Sequence, residues 1–482
     1  MAKPRWTQRR SRRAKAKDKG KPPVEQMNLS VLHTNAAGID VGNEEHYVAV
    51  PPDRDEHPVQ SFDCFTADLQ AMAAWLKRCG IQTVAMQSTG VYWLPLYEIL
   101  EQNGIEVYLV NARHTKNLPG RKTDVQECQW LMKLHTYGLL NNSFQPPEKI
   151  RTLRTYWRQR GVHVVEAGTC IQRMQKALTQ MNIQIANAIS DLSGVTGMRI
   201  LNAIVAGERD PQKLADLRDP RIKASRETVV KSLEGTWRED LLFVLKQEME
   251  SWQKRQQQIV ECDGQLQQQL AALETREPVG NPESAPPTAA PQEAPAVGRK
   301  EKSKKKPKGN APAFDLAGQL NRVAGVDLTR IDGIDVMTAQ TVIAEVGTDM
   351  TMWATEAHFA SWLGLSPNNQ TSGGKVLSKA TNKVVNRAAK AFRLAASTLL
   401  KSQSYLGSQY RRLRARLGAP KAITAMAHKL ARLTYRMLKY GSEYVDKGME
   451  YYEQKYRQQE LLRLQKKAHD LGMQLVQAPA AA

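Results

Sequence analysis

The chain has 482 residues, with 69 Lys and Arg against 48 Asp and Glu, for a formal net charge of +21. With 41% hydrophobic and 24% charged residues it is globular on average, long enough for roughly two to four domains, and not a wholly disordered polymer. No apolar run reaches the about 18 residues of a membrane span, and no apolar stretch follows the basic N-terminus, so neither a transmembrane helix nor a secretory signal is expected.

The first 21 residues hold ten Lys or Arg and one Asp. A second basic run lies at Arg299 to Lys308, so most of the excess charge is concentrated in two short segments. Such runs suit a polyanion, and nucleic acid is the common one. Beyond the tail, Val31 to Val41 and His46 to Val50 read as two strands broken at Gly42-Asn43, with a third at Ser61 to Phe65. Leu69, Met72, Trp75 and Leu76 give Ala67 to Arg78 helical spacing. Thr83 to Met86 is a short apolar strand, Tyr92 to Gln102 a helix and Ile105 to Val110 another strand. Three strands in hairpin order, then helix, strand, helix, strand, predict an α/β domain with a mixed sheet.

Thr123 opens the next helix at capping-box spacing from Gln126, and Val125, Cys128, Leu131 and Met132 are expected to form its apolar face, with Leu134 near the edge. From Pro146 the pattern changes. Ile171, Met174, Leu178, Met181 and Ile185 keep 3-4 spacing, and so do Leu242, Leu245, Met249, Trp252, Ile259, Leu266, Leu270 and Leu273, with Gln256 and Asp263 as polar interruptions. Two long helices in a coiled coil are expected, closed either within the chain or between chains. Residues 277–313, rich in Pro, Ala, Lys and Gly, read as a disordered linker, and the remainder is helical in pattern with short Gly-containing breaks. The divisions are a basic disordered tail (1–27), the α/β domain (28–145), a coiled-coil helical region (146–276), the linker (277–313), an all-α C-terminal domain (314–445), and a last helix and tail (446–482). The five cysteines are odd in number and lack zinc-knuckle spacing, which favours free thiols in a reducing, bacterial-type cytoplasm.

Several residues could carry chemistry. Asp40 ends the first strand between glycines, where a carboxylate can bind a hard cation or simply cap a turn. Asp124 and Glu127 share one face of a helix N-terminus. They can share a metal or complement the helix dipole, and Arg113, His114, Lys116, Arg121 and Lys122 just before them suit a phosphate-rich substrate. Gln87 stands at the end of a strand where a further acidic ligand would be expected. Ser372 lies beside two glycines in a loop, followed by Lys375, Lys379, Lys383 and Arg387; it is either a nucleophile activated from elsewhere or a turn serine. Arg151, Arg154 and Arg158 line one face of the first long helix, to hold RNA or DNA phosphate or to form a solvated face. Arg411, Arg412, Arg414 and Arg416 form a denser patch, with Tyr405 and Tyr410 near enough to stack on bases.

Three runs resemble the RuvC-like DEDD domain of the insertion-sequence one-ten family of transposases: Gly38-Ile39-Asp40-Val41-Gly42, Ser88-Thr89-Gly90-Val91-Tyr92-Trp93, and Gly120 through Glu127. Three more are similar to that family's second domain: Ile331-Asp332-Gly333-Ile334 with Thr338-Ala339, Trp362 to Pro367, and Thr371 to Lys375. The resemblance implies a RuvC/RNase H-like domain, a helical transposase domain, and a recombinase that excises and inserts a mobile DNA element. It implies a metal site, Mg²⁺ by type, at Asp40, Gln87, Asp124 and Glu127, with Gln87 departing from the acidic pattern, and a nucleophilic serine at Ser372. It also implies DNA partners at the element ends and target and a guide RNA, while the heptad segments point to a homo-oligomer, dimer or tetramer. A RuvC-like nuclease that only cuts, and a degenerate nucleic-acid-binding relative, are the alternatives. The segment 331–347 is also similar to helix-hairpin-helix elements, against an ordinary packed helix pair.

Overall fold

The structure is a computed structural model. It describes residues 30–88, 90–111, 123–277, 310–373, 375–378, 380–382, 384, 386–441 and 448–474. The basic tail, most of the linker, and Arg113, His114, Lys116, Arg121, Lys122, Lys379 and Lys383 lie outside the described residues. The chain divides into two compact units, Met1–Gln145 and Pro146–Ala482.

The first unit is built on a five-stranded mixed sheet in the order β3-β2-β1-β4-β5. Its strands are β1 (Ala36–Val41), β2 (Glu45–Ala49), β3 (Val59–Asp63), β4 (Thr83–Gln87) and β5 (Glu106–Val110). β2 is antiparallel to β1 and β3, while β1, β4 and β5 run parallel. Alternation sorts the faces. Ala37, Ile39 and Val41 of β1, with Val84 and Met86 of β4, pack against α1 (Thr66–Arg78) and α2 (Trp93–Gln102). Gly38, Asp40, Ala85 and Gln87 have the opposite parity and face α3 (Asp124–Thr136). The expected elements therefore form, with small shifts. β1 starts at Ala36 rather than Val31, and β3 starts at Val59, where its pairing with Ala49 begins.

Gly38 is what lets α3 lie down on the sheet. A Cβ there would stand 2.2 Å from the Cys128 carbonyl oxygen and 2.3 Å from the Met132 nitrogen. The buried side of α3 is Cys128, Leu131, Met132 and His135. Val125, expected on that face, is exposed. It sits in the first turn, beyond the Gly38 contact, and His135 takes the fourth buried position one turn after Leu131.

In the second unit α4 (Glu148–Gln180) and α8 (Glu239–Ala272) run antiparallel, each about 50 Å long. Their register is fixed by Arg160 against Asp263, Arg255 against Glu166 and Arg173 against Glu248. Ala167, Met174 and Ala177 of one helix and Leu245, Met249, Ile259, Leu266 and Leu270 of the other are buried at 3-4 spacing. The apolar faces thus close within one chain. At the hairpin tip, α5 (Val195–Val205), α6 (Pro211–Asp216) and α7 (Arg226–Leu233) share a core with both long helices. Asp263, a polar interruption in sequence, is 7% exposed and accepts from Arg160 Nε at 2.5 Å. Arg160 also donates to the Asn310 carbonyl at 2.9 Å, and Pro312 is buried, so the last residues assigned to the linker are anchored on α4.

Beyond this point come α9 (Leu316–Ala324), α10 (Val336–Val346), α11 (Glu356–Trp362), a hairpin of β6 (Gln370–Ser372) and β7 (Lys375–Ser378), α12 (Arg387–Thr398), α13 (Tyr405–Leu417), α14 (Ala419–Tyr440) and α15 (Gly448–Asp470). The region is helical as its pattern predicts, apart from this short hairpin at the Gly373 break. Gly333, before α10, has φ +90°, and a Cβ there would meet the Ala395 carbonyl oxygen of α12 at 2.8 Å. Close packing of α10 against α12 accounts for this glycine.

Candidate active site and nucleic-acid contacts

The sheet register makes Asp40 and Gln87 neighbours. Ile39 pairs with Met86 across parallel strands, so the next residues stand side by side at the carboxyl ends of β1 and β4, on the α3 face. α3 runs back across β1, because Leu32 and His33 donate to the Thr136 carbonyl while its first turn lies near Asp40. The Thr123 side chain caps that turn by accepting from the Gln126 amide at 3.3 Å. Glu127 receives a long contact of 3.5 Å from the amide of Gln87, which is 4% exposed. The Cys128 thiol, which donates to the Val125 carbonyl at 3.1 Å, lies close enough to Asp40 and Asp124 to feel both charges. Burial, with Asp40 and Asp124 adding to it, pushes it up to about 12, so it stays protonated.

Two neighbours have no counterpart among the sequence candidates. Tyr47 is the cross-strand partner of Asp40 and donates its hydroxyl to Glu45 at 2.7 Å. Its phenol is held above the usual range by that bond first, then by burial, with the charges of Glu45 and Asp124 adding to it. Glu45 is therefore a further carboxylate at this end of the sheet. The signal in sequence is its place directly after the Gly42 turn, where β2 starts back alongside β1.

Asp40, Asp124, Glu127 and the Gln87 amide oxygen offer hard oxygen donors, which suit a cation such as Mg²⁺. In their present arrangement no three His, Cys, Asp or Glu side chains among the described residues close into one ligand group. The donor chemistry fits such an ion; the spacing is that of an open set.

Ser372 ends β6 and pairs with Lys375 across a two-residue turn, not in a loop. Gly373 has φ +54°, the left-handed conformation that tight hairpins require. Ser372 and Lys375 are both exposed. α12 opens at Arg387, itself exposed and following the Asn386 cap.

The arginines divide by burial. Arg154 donates to the Ala344 and Glu345 carbonyls, and Arg158 makes a bidentate pair with the Glu345 carboxylate at 2.9 and 2.7 Å. Glu345 of α10 is 7% exposed, so these two guanidiniums neutralise a buried acid. They hold α10 against α4 rather than standing ready for phosphate. Arg151 donates to the Pro146 carbonyl at 3.3 Å. Arg411 donates to the Ser402 carbonyl at 2.6 Å and to the Ser408 hydroxyl, which closes the turn before α13. Arg412 lies 3.9 Å from the ring centre of Tyr456 on α15. Arg414 and Arg416 are exposed. Tyr410 is 3% exposed and packs inside, so it offers no face to a base.

The sheet thus brings Asp40, Gln87 and the first turn of α3 to one end, and the helical unit that follows in the chain carries Ser372 on an exposed hairpin. Residues 37–183 match the family model of the IS110 DEDD transposases, described as a transposase. Residues 326–411 match the model described as the transposase IS116/IS110/IS902 family. The chain belongs to the IS110 family of transposases and is a DNA transposase. No match is found among curated proteins. The first match runs through the sheet, α3 and α4; the second spans α10, the serine hairpin, α12 and the start of α13.

Proposed function

We propose that this transposase cuts and joins DNA through a serine nucleophile, Ser372, with Mg²⁺ held by Asp40, Gln87, Asp124 and Glu127. The observation that carries this reading is the meeting of Asp40, Gln87 and the first turn of α3 at one end of the sheet, made possible by Gly38. The ion would polarise a phosphate oxygen and offset its charge. The Ser372 oxygen forms a bond to phosphorus, the bond to the leaving deoxyribose oxygen breaks, and the serine proton leaves to that oxygen or to water. A DNA strand end is then bound covalently to the protein. Lys375, the cross-strand partner of Ser372, and Arg387 at the start of α12 offer cations to the same phosphates. A guide RNA and assembly into a dimer or tetramer complete the proposal. Because the heptad faces close within the chain, assembly uses other surfaces.

The test is a trapped reaction on a DNA element end. The adduct is digested and its peptide mapped by mass spectrometry. The adduct should form with Mg²⁺, vanish in chelator, and be absent in Ser372→Ala while DNA binding persists. An adduct on another residue refutes the assignment. Omitting RNA from the reaction tests the guide, and light scattering tests assembly. The Gln87–Glu127 contact favours a second reading, a binding protein without metal chemistry. Tight DNA binding with no cleavage under any metal would establish it.

A further inference from the structure

α14 carries a basic stripe that neither family match covers. At 100° per residue, His428, Lys429, Arg432 and Arg436 fall within one 100° sector, opposite the buried Met426, Leu430, Met437 and Leu438. Among the described residues one carboxylate pairs with them. Glu356, the first residue of α11, pairs with Arg432 and also takes Arg436 at 3.8 Å. Lys455 of α15 adds another positive charge close enough to act on Lys429. Among the described residues, Lys429, Arg432 and Arg436 thus share Glu356 as their counter-charge.

A solvated basic face would not look like this. Lys429 is drawn below the usual lysine range by burial first and by Arg432 next, and His428 is lowered by the same causes. Packing cations this closely with one acid costs free energy unless an anion completes the set. The side chains remain reachable, with Arg432 42% and Arg436 33% exposed. From Lys429 to Arg436 the helix rises about 10 Å, too far for one phosphate to bridge. The ligand is therefore a chain of phosphates.

We propose that the His428, Lys429, Arg432 and Arg436 stripe of α14, with Lys455, is a phosphodiester-backbone site that holds successive phosphates of one nucleic-acid strand. Phosphate competes with Glu356 for the two arginines, so Glu356 sets the affinity. The site reads charge and spacing, and base sequence does not enter. This inference rests on the chain being a DNA transposase and not on the serine or metal assignments.

The full chain and Lys429→Gln/Arg436→Gln are titrated with duplex DNA and with a structured RNA across a series of potassium chloride concentrations. On duplex DNA the double variant should lose about 1.8 from the log–log salt slope, about 0.9 for each phosphate contact. Lys429→Arg/Arg436→Lys, which keeps both charges, should keep the slope. Glu356→Gln should tighten binding severalfold. Slope loss on DNA alone, or on RNA alone, supports the site and says which nucleic acid occupies it. An unchanged slope on both overturns the proposal, as does a Glu356→Gln protein that binds no more tightly. The readout is binding, so an inactive serine or an absent metal leaves it decisive.

Discussion

At the scale of single residues, two side chains make sharp predictions. Gln87 donates to Glu127 where a carboxylate would complete an acidic set. Gln87→Glu sets two like charges side by side, so one is pushed toward protonation. In chelator this variant should melt below the wild type, and Mg²⁺ should restore the loss; equal melting with and without Mg²⁺ would remove these residues as ligands. His135 is buried, shares a hydrogen bond of 2.9 Å with Thr83, and stacks on His33 at 4.6 Å. Burial, with the His33 charge adding to it, lowers it from 6.5 to about 4. The folded value lies below the unfolded one, so stability is complete above about 6.5 and falls as pH drops toward about 4. Below that, both states bind the proton and the loss stops. The change is about 2 kcal/mol after allowance for solvent screening. Urea melts from neutral to acid pH should show it in the wild type and not in His135→Gln. Strand ends and helix caps are local, so the sequence could place Asp40 and Gln87 at strand ends and Asp124 and Glu127 in a first helical turn, while their grouping as one ligand set rests on the family resemblance. Sequence reading missed Glu45, Tyr47 and His135 because their importance comes from neighbours distant in sequence.

At the scale of elements, the position of α3 depends on the missing Cβ at Gly38. Gly38→Ala drives a methyl group into the Cys128 carbonyl and should cost about 1–3 kcal/mol. It should also displace Asp124 and Glu127 from Asp40, so strand cleavage should fall at temperatures where the variant is still folded. Wild-type melting and cleavage in this variant would show that α3 is held by something else. The long hairpin depends on Arg160 and Asp263 in the same way. Arg160→Met leaves a buried carboxylate without its partner and should cost about 3–5 kcal/mol, whereas Arg160→Met with Asp263→Leu should recover most of it. Calorimetry of both variants, with Asp263→Leu alone to close the cycle, measures the coupling. The heptads of α4 and α8 were readable in sequence, but their closure within one chain was not, since a 3-4 pattern specifies an apolar face and leaves the partner open.

At the scale of the whole molecule, each unit has its own buried core: Ile39, Met72, Met86 and Leu100 in the first, and Met174, Ile200, Leu245 and Phe392 among others in the second. Residues 30–145 and 146–474, made separately, should each melt cooperatively, and neither alone should form the DNA adduct. Adduct formation by either half would contradict the division of labour between carboxylates and serine. Among the described residues no helix is long and apolar enough to cross a membrane. The order of strands and helices, the family, the acidic positions and the two long amphipathic helices were determined by the sequence itself, because each rests on local periodicity or on a short contiguous motif. The tertiary structure alone decided which arginines are spent and which remain available. Arg154 and Arg158 are consumed by Glu345, nearly 200 residues away, while Arg432 and Arg436 share one Glu356 with their neighbours. Charge is written residue by residue, but its neutralisation depends on distance and burial, which only the packed chain fixes.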